Sequence, residues 1–306
     1  EKIRMMPLVN LKKQYLSIKN EIDNAINDVI DETAFISGKY ARLFEEEFSK
    51  KLGVRNCIST ANGTDSLYII MKSLGIGQGD EVITVANSWI SSSETISQTG
   101  AKPVFVDIES DFFSIDSTKI EEKINKKTRA LIIVHLHGQS CNMSEICQIA
   151  KKYNILIIED CAQAHLTKFK NSFVGTFGIA GSFSFYPGKN LGAFGDAGCI
   201  ITNDDNFAKK CRMFANHGSL VKHDHIIEGI NSRMDGINAN ILRVKLKYLS
   251  DWTKKRIKNS LLYKTNLSNI EGIILPKIRP DTEHTFHIFQ IEVNKNRDKF
   301  IKLFII

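Results

Sequence analysis

The chain has 306 residues, 42% of them hydrophobic and 25% charged, which supplies apolar material for a large core and excludes a disordered composition. Its formal net charge of +7 is not a nucleic-acid signature, because Lys and Arg lie in mixed-sign helical faces such as 119–127; we read it as solvated surface, with attraction for phosphorylated substrates secondary. Six cysteines without a CxxC pair exclude a disulfide framework and fit a reducing cytoplasm, and no stretch approaches the roughly 18 apolar residues of a membrane helix.

The start, Glu-Lys-Ile-Arg, lacks a hydrophobic signal core, so an unexported, soluble protein is expected. Helical patterns at 15–31 and 41–52 precede a short apolar strand at 57–60 and a helix at 64–74. Strand 81–85, helix 91–98 and strands 103–106 and 130–136 follow, then helix 143–153 and strands 155–159, 181–185 and 199–202. Helix 207–214 ends this alternation. Near-continuous Ile and Val runs suit strands buried on both faces, so the class is α/β, a mostly parallel central sheet flanked by helices. After Asp235 a long helix, 237 to about 267, carries Lys and Arg on one side and Leu on the other. Residues 272–293 alternate in strand fashion and 295–303 begin a helix that stops at Ile306. The expected organisation is a large domain at 1–250, with a connecting helix and an incomplete small C-terminal domain at 251–306.

Three segments carry chemistry. Ser184-Phe185-Tyr186-Pro187-Gly188-Lys189-Asn190 sets a lysine in apolar, aromatic and glycine-rich surroundings, which disfavour the ammonium and suit an imine-forming amine. A lysine at the mouth of a surface loop is the plain alternative. Upstream, Ile157-Ile158-Glu159-Asp160 is an apolar strand ending in a carboxylate, where ligands of open α/β sheets lie. Asp160 there can keep a pyridine nitrogen protonated, and Gln163 can bond the ring's phenolic oxygen; an N-cap for the next helix is the alternative for Asp160. Asn62-Gly63-Thr64-Asp65 runs from a strand into a helix start, an anion site whose cradle is Thr64 and Asp65 helped by Ser184, or else a simple cap. Trp89 follows another strand end and can stack on a ring, or be core.

Together, in this chain order, these segments resemble the fold-type I enzymes that use pyridoxal 5′-phosphate (PLP). The resemblance narrows to the DegT/DnrJ/EryC1/StrS sugar aminotransferases through Gly63-Thr64-Asp65, Val134-His135-Leu136-His137-Gly138, 159–165, 184–189, 229–235 and 241–246, and spans about Pro7 to Arg297. It implies that Lys189 is the Schiff-base lysine, that Asp160 pairs with the ring nitrogen and that Gln163 contacts the ring oxygen. It implies further that Thr64, Asp65 and Ser184 hold the phosphate, that Trp89 stacks, and that Asn231 reaches the phosphate of the neighbouring subunit in a homodimer. The implied reaction moves an amino group from glutamate to a nucleotide-linked keto sugar, in amino-sugar or surface-glycan synthesis. Lys189 argues against the relatives that dehydrate sugars with a histidine there, and 186–192 looks closer to relatives that aminate a 3-keto sugar than a 4-keto sugar. Complete relatives continue past 295–303, so a truncated, catalytically silent fragment is the competing expectation.

Other features receive plain readings. His165 can touch substrate or pack. His135 with His137, and His223 with His225, sit two apart without a completing Cys or carboxylate cluster, so no metal is expected. Gly75, Gly77 and Gly79 follow a helix and precede a strand, the reverse of a dinucleotide loop, so an NAD-binding oxidoreductase is rejected.

Overall fold

A computed structural model describes residues 9–294 and 297–304; Glu1 to Arg4, Pro7, Lys295, Ile305 and Ile306, which enter the sequence reading, lie outside the described residues. Seven strands form the central sheet: β1 (Asn56–Thr60), β2 (Glu81–Val85), β3 (Lys102–Val106), β4 (Thr128–Val134), β5 (Leu156–Asp160), β6 (Ala180–Ser184) and β7 (Gly198–Thr202). Their spatial order is β1-β7-β6-β5-β4-β2-β3. β7 runs antiparallel to both its neighbours and the remaining pairings are parallel, as the α/β reading requires.

Nine helices accompany the sheet among the described residues: α1 (Leu11–Ser17), α2 (Lys19–Asp31), α3 (Gly38–Leu52), α4 (Gly63–Ser73), α5 (Ser91–Gln98), α6 (Met143–Tyr153), α7 (Asp205–Ala215), α8 (Gly236–Leu267) and α9 (Arg297–Phe304). The expected single helix 15–31 is two, broken at Ile18, whose side chain turns into a small core with Ile22, Ala25, Ile241 and Val244. Both sheet faces are covered. One core packs the inner strands with Leu67, Ile70, Ile146 and Phe214; the other holds Phe44, Phe48, Phe183 and Phe185 with Leu242 and Leu246. In the second, Phe48 meets Phe183 and Phe185 edge-on, with ring centroids 5.3 and 5.4 Å away.

Two expectations fail locally. Strand 130–136 stops at Val134, because the chain turns through a 3-10 segment at Leu136–Gly138 in which His137 takes φ 60°. His135 and His137 therefore do not share a strand face. The segment 272–293 forms only two-residue pairings, Ile273–Ile274 with Glu292–Val293 and Thr282–Glu283 with Lys168–Phe169. Its side chains turn onto residues 109–140 instead of pairing as a sheet: buried Arg279 donates to Ser140 O (3.1 Å) and Ser114 Oγ (3.0 Å) and pairs with Glu109. Gly138, at φ +95°, lets this segment approach, since a Cβ there would lie 2.8 Å from Thr285 Oγ1. α8 crosses position 250 unbroken, so the expected boundary at 250/251 falls inside one helix.

A second close approach positions the site. A Cβ on Gly198 of β7 would fall 2.4 Å from the carbonyl carbon of Asn62, just before α4. Gly198→Ala must push β7 away from the start of α4, and chemical denaturation should show a loss of about 2–4 kcal/mol. A denaturation midpoint equal to the parent's would mean that the contact relaxes freely.

Candidate active site

A cavity of about 530 Å³ opens at the carboxyl end of the parallel strands, lined by residues that include Asn62, Gly63, Thr64, Ser88, Trp89, Asp160, Gln163, Ser184, Lys189 and His287. Of the residues singled out from sequence, Thr64, Trp89, Asp160, Gln163, Ser184 and Lys189 meet here, although they are spread over 126 positions of the chain (64 to 189). Asp65 and Asn231 do not line it.

α4 supplies one end. Asn62, not Asp65, is the cap: its Oδ1 accepts from Asp65 N at 2.7 Å. Gly63 allows the helix start to touch β6, because a Cβ would sit 2.7 Å from Ser184 Cβ. Ser182 Oγ ties it down by donating to Gly63 O at 3.1 Å. The first amides of a helix have no acceptor within it, and Gly63 and Thr64, the first residues of α4, line the cavity, which makes this helix start a candidate anion site with the positive end of the macrodipole behind it. Thr64 Oγ1 is held 2.7 Å from Ser91 Oγ.

The other end is acidic. Asp160 is 7% exposed; its Oδ1 accepts from Ala162 N (3.1 Å) and its Oδ2 from Ser92 Oγ (3.1 Å). No helix starts after it, which removes the N-cap alternative. Burial pushes its carboxyl above the usual range, while the Ala162 amide, the Lys189 charge and Ser92 pull back. Gln163 has an assigned orientation: its Oε1 accepts from His137 N at 2.7 Å, which leaves the side-chain NH2 to donate.

Lys189 sits in a tight loop closed by Lys189 N to Tyr186 O at 2.8 Å. Burial lowers the pKa of its ammonium, and the Asp160 charge partly restores it. Among the described residues its amine has no hydrogen-bond or salt-bridge partner. His287, from the C-terminal segment, lines the same cavity and lies 3.2 Å through Nδ1 from Asn190 Oδ1; burial and the nearby Lys189 and Arg256 charges lower its pKa to about 3. A neutral ring therefore donates to Asn190. Trp89 lines the mouth at 73% exposure, so the core alternative does not apply to it.

These donors fit PLP. Free helix amides and hydroxyls at one end suit a phosphate, a buried carboxylate suits a protonated ring nitrogen, and an unpartnered lysine between them suits an aldehyde.

His165 is 1% exposed, packed against Phe183 and Phe185 with centroids 5.5 and 5.6 Å away, and outside the cavity lining. The packing reading holds for it. His135, Glu159 and Cys161 bring ligand atoms within 4.8 Å of one another, so the expectation that no Cys or carboxylate joins His135 is corrected. Glu159 lies on β5 and Cys161 just beyond its end, alongside the end of β4 that His135 follows. The carboxylate is already saturated: Glu159 accepts from Gly175 N and Phe177 N (both 2.7 Å), from Gly178 N (2.9 Å) and from His135 Nε2 (3.0 Å). His135 Nδ1 in turn accepts from Cys141 N at 3.2 Å, so this cluster reads as a buried hydrogen-bond hub.

Sequence reasoning missed Asn62, Ser91, Ser92 and His287. Asn62 had a signal, as the polar residue before a glycine at a helix start. Ser92 had a weaker one, as the second residue of a helix following the end of β2. His287 had none, because only tertiary packing brings it to the cavity.

A family model described as the DegT/DnrJ/EryC1/StrS aminotransferase family matches residues 16–305. A dTDP-3-amino-3,6-dideoxy-alpha-D-galactopyranose transaminase of Aneurinibacillus thermoaerophilus is 43% identical over 296 residues, 97% of this chain and 81% of its own. The crystal structure of S. venezuelae DesV in complex with a ketimine intermediate superposes with a TM-score of 0.94 at 36% identity, over 96% of this chain and 79% of that one. The Bacillus subtilis NtdA structure with bound cofactor PMP gives 0.89 at 34% identity, over 98% and 69%.

Burial lowers the pKa of Lys189 and brings that of Lys245 down to about 8. Lys245 is buried and Lys189 lines the open cavity, so Lys189 is the accessible amine of the two that acylating reagents should modify near neutral pH. Asp160→Asn removes the charge that favours the ammonium and should move the pH midpoint of this labelling down, by up to about one unit. Peptide mass spectrometry of pH-stepped labelling reads both, and a midpoint that stays put or rises would show that the two groups do not interact.

Proposed function

The chain belongs to the DegT/DnrJ/EryC1/StrS aminotransferase family, and on that footing we propose that it is a PLP-dependent enzyme that transfers an amino group from an amino acid to the keto group of a nucleotide-linked sugar. The observation that carries the reading is one cavity shared by an unpartnered lysine, a buried carboxylate and the free amides of a helix start. Bound PLP supplies an aldehyde for covalent attachment and a ring that withdraws electrons from the carbon bonded to nitrogen.

The chain's residues then divide the work. Lys189 would hold the cofactor's aldehyde through its amine. Its Nζ would serve as general base for the donor's α-proton and as the general acid that delivers that proton to the former aldehyde carbon, a task suited to an amine whose pKa burial has lowered. Asp160 stays anionic against the ring nitrogen, held by Ser92 and Ala162. Gln163 donates its amide to the ring oxygen. The amides of Gly63 and Thr64, with the Thr64 and Ser184 hydroxyls, anchor the phosphate, and Asp65 stabilises that helix start as the acidic residue of its first turn. Trp89, which lines the mouth, would stack on the ring.

We take glutamate as donor and a 3-keto sugar as acceptor; the 3-amino product in the name of the Aneurinibacillus relative supports the second choice. We also take the enzyme to be a cytoplasmic homodimer. Six free thiols fit a reducing compartment. Asn231 is exposed and away from its own cavity, bonded through Oδ1 to Arg233 Nε at 3.0 Å, which suits a residue that serves the neighbouring subunit's phosphate. Trp89, Tyr186 and Phe194 are large exposed apolar groups that a second subunit would cover.

Incubation with PLP, glutamate and a panel of nucleotide 3- and 4-keto sugars should yield an amino sugar by mass spectrometry, and Lys189→Ala should lower the rate by about a thousandfold or more. PLP binding without amination of any sugar would reject the acceptor class. Mixing Lys189→Ala with Asn231→Ala chains should restore part of the activity that each lacks, since one hybrid site regains both groups; no recovery on mixing counts against the shared site.

A further inference from the structure

Two adjacent hydroxyls at the start of α5 point to opposite ends of the cavity. Ser91 Oγ lies 2.7 Å from Thr64 Oγ1, at the anion-binding end, and Ser92 Oγ lies 3.1 Å from Asp160 Oδ2, at the acidic end. Both serines are buried, at 7% and 1% exposure. Ser92 also lies 2.9 Å from Ser88 Oγ, and Ser88 lines the cavity. A serine hydroxyl has a single proton, so with Asp160 ionised Ser92 must donate to the carboxylate and accept from Ser88. The chain of hydrogen bonds therefore has one direction, from the cavity through Ser88 and Ser92 to Asp160.

We propose that Ser91 and Ser92 are a pair of positioning residues with separate tasks, Ser91 setting the phosphate anchor through Thr64 and Ser92, fed by Ser88, fixing the ionised carboxylate that faces the ring nitrogen. This rests on the PLP reading above. α5 is well placed to act as the spacer, because consecutive helix residues keep a set separation and Thr95 Oγ1, one turn on, bonds Ser91 O at 2.7 Å. The carboxylate has few other aids. Lys189 from the loop after β6 is the charged group that lowers its pKa, against the burial that raises it, and His135 from the end of β4 is the other titratable group nearby. Lys189 is faced in turn by Asp160, His165 and His287. Loss of the Ser92 proton makes Asp160 more basic, draws positive charge from the ring nitrogen, and so raises the pH at which the lysine-bound cofactor loses its proton.

The visible absorbance of PLP-loaded protein, titrated with pH, reads that midpoint, and the dissociation constants of PLP and of phosphate-free pyridoxal read the anchor. Ser92→Ala should raise the midpoint by about half a pH unit or more, and Ser92→Thr should return it to the parent value. Ser91→Ala should leave the midpoint alone and weaken PLP, not pyridoxal, by about tenfold. The proposal is overturned if Ser92→Ala titrates like the parent, or if both alanine variants change affinity and midpoint alike. Should Ser92→Ala fail to fold or load, Ser92→Cys, a weaker donor, decides between the same two results. Parent protein that acquires no visible band with PLP would sink the cofactor reading itself, a failure distinct from a loaded parent with an unshifted variant.

Discussion

The site depends on keeping one carboxylate charged where little water reaches it. Asp160 ends a strand inside the sheet, flanked by β4 and β6, and burial opposes its ionised form. Two donors, the Ala162 amide and the Ser92 hydroxyl, offset that cost, and the Lys189 ammonium contributes from across the cavity. The same environment acts in the opposite sense on the lysine, lowering its pKa towards the neutral amine that covalent chemistry needs. Acid and amine are thus tuned by a single arrangement of burial and mutual charge.

Rigid close approaches hold that arrangement. Gly63 and Gly198 let α4, β6 and β7 meet backbone to backbone, so the helix amides stand at the edge of the cavity. Behind β6, Phe183 and Phe185 lock into Phe44 and Phe48, which keeps the strand that leads to Lys189 from shifting. Glu159, the neighbour of Asp160, points to the other side of β5 and fastens 175–178 through three backbone amides. Alternation along one strand therefore assigns one carboxylate to the cavity and the next to the scaffold.

The C-terminal segment joins the site by the same logic. Arg279 and Thr285 anchor it to 138–140 and to Glu109, and the turn at 284–287 then delivers His287 beside Asn190 and Lys189. Its side chains serve contact with the preceding part of the chain more than strand pairing.

Periodicity and strand-end logic made much of this protein legible before any coordinates. Apolar runs located the seven strands to within about two residues, since the strands inside the sheet are buried and tolerate little else. The lysine, the strand-end aspartate, Gln163 and the glycine helix start were legible as chemistry because their local surroundings are unusual for their residue types. What the sequence could not decide is which of several capping and hydroxyl residues face inward. Asn62 rather than Asp65 caps α4, Ser92 rather than a neighbouring serine meets Asp160, and His287 arrives from 98 positions beyond Lys189. A hydrogen bond between elements depends on side-chain direction and on packing distances of a few tenths of an ångström, and those exist only once the sheet, its helices and the returning C-terminal segment have closed on one another.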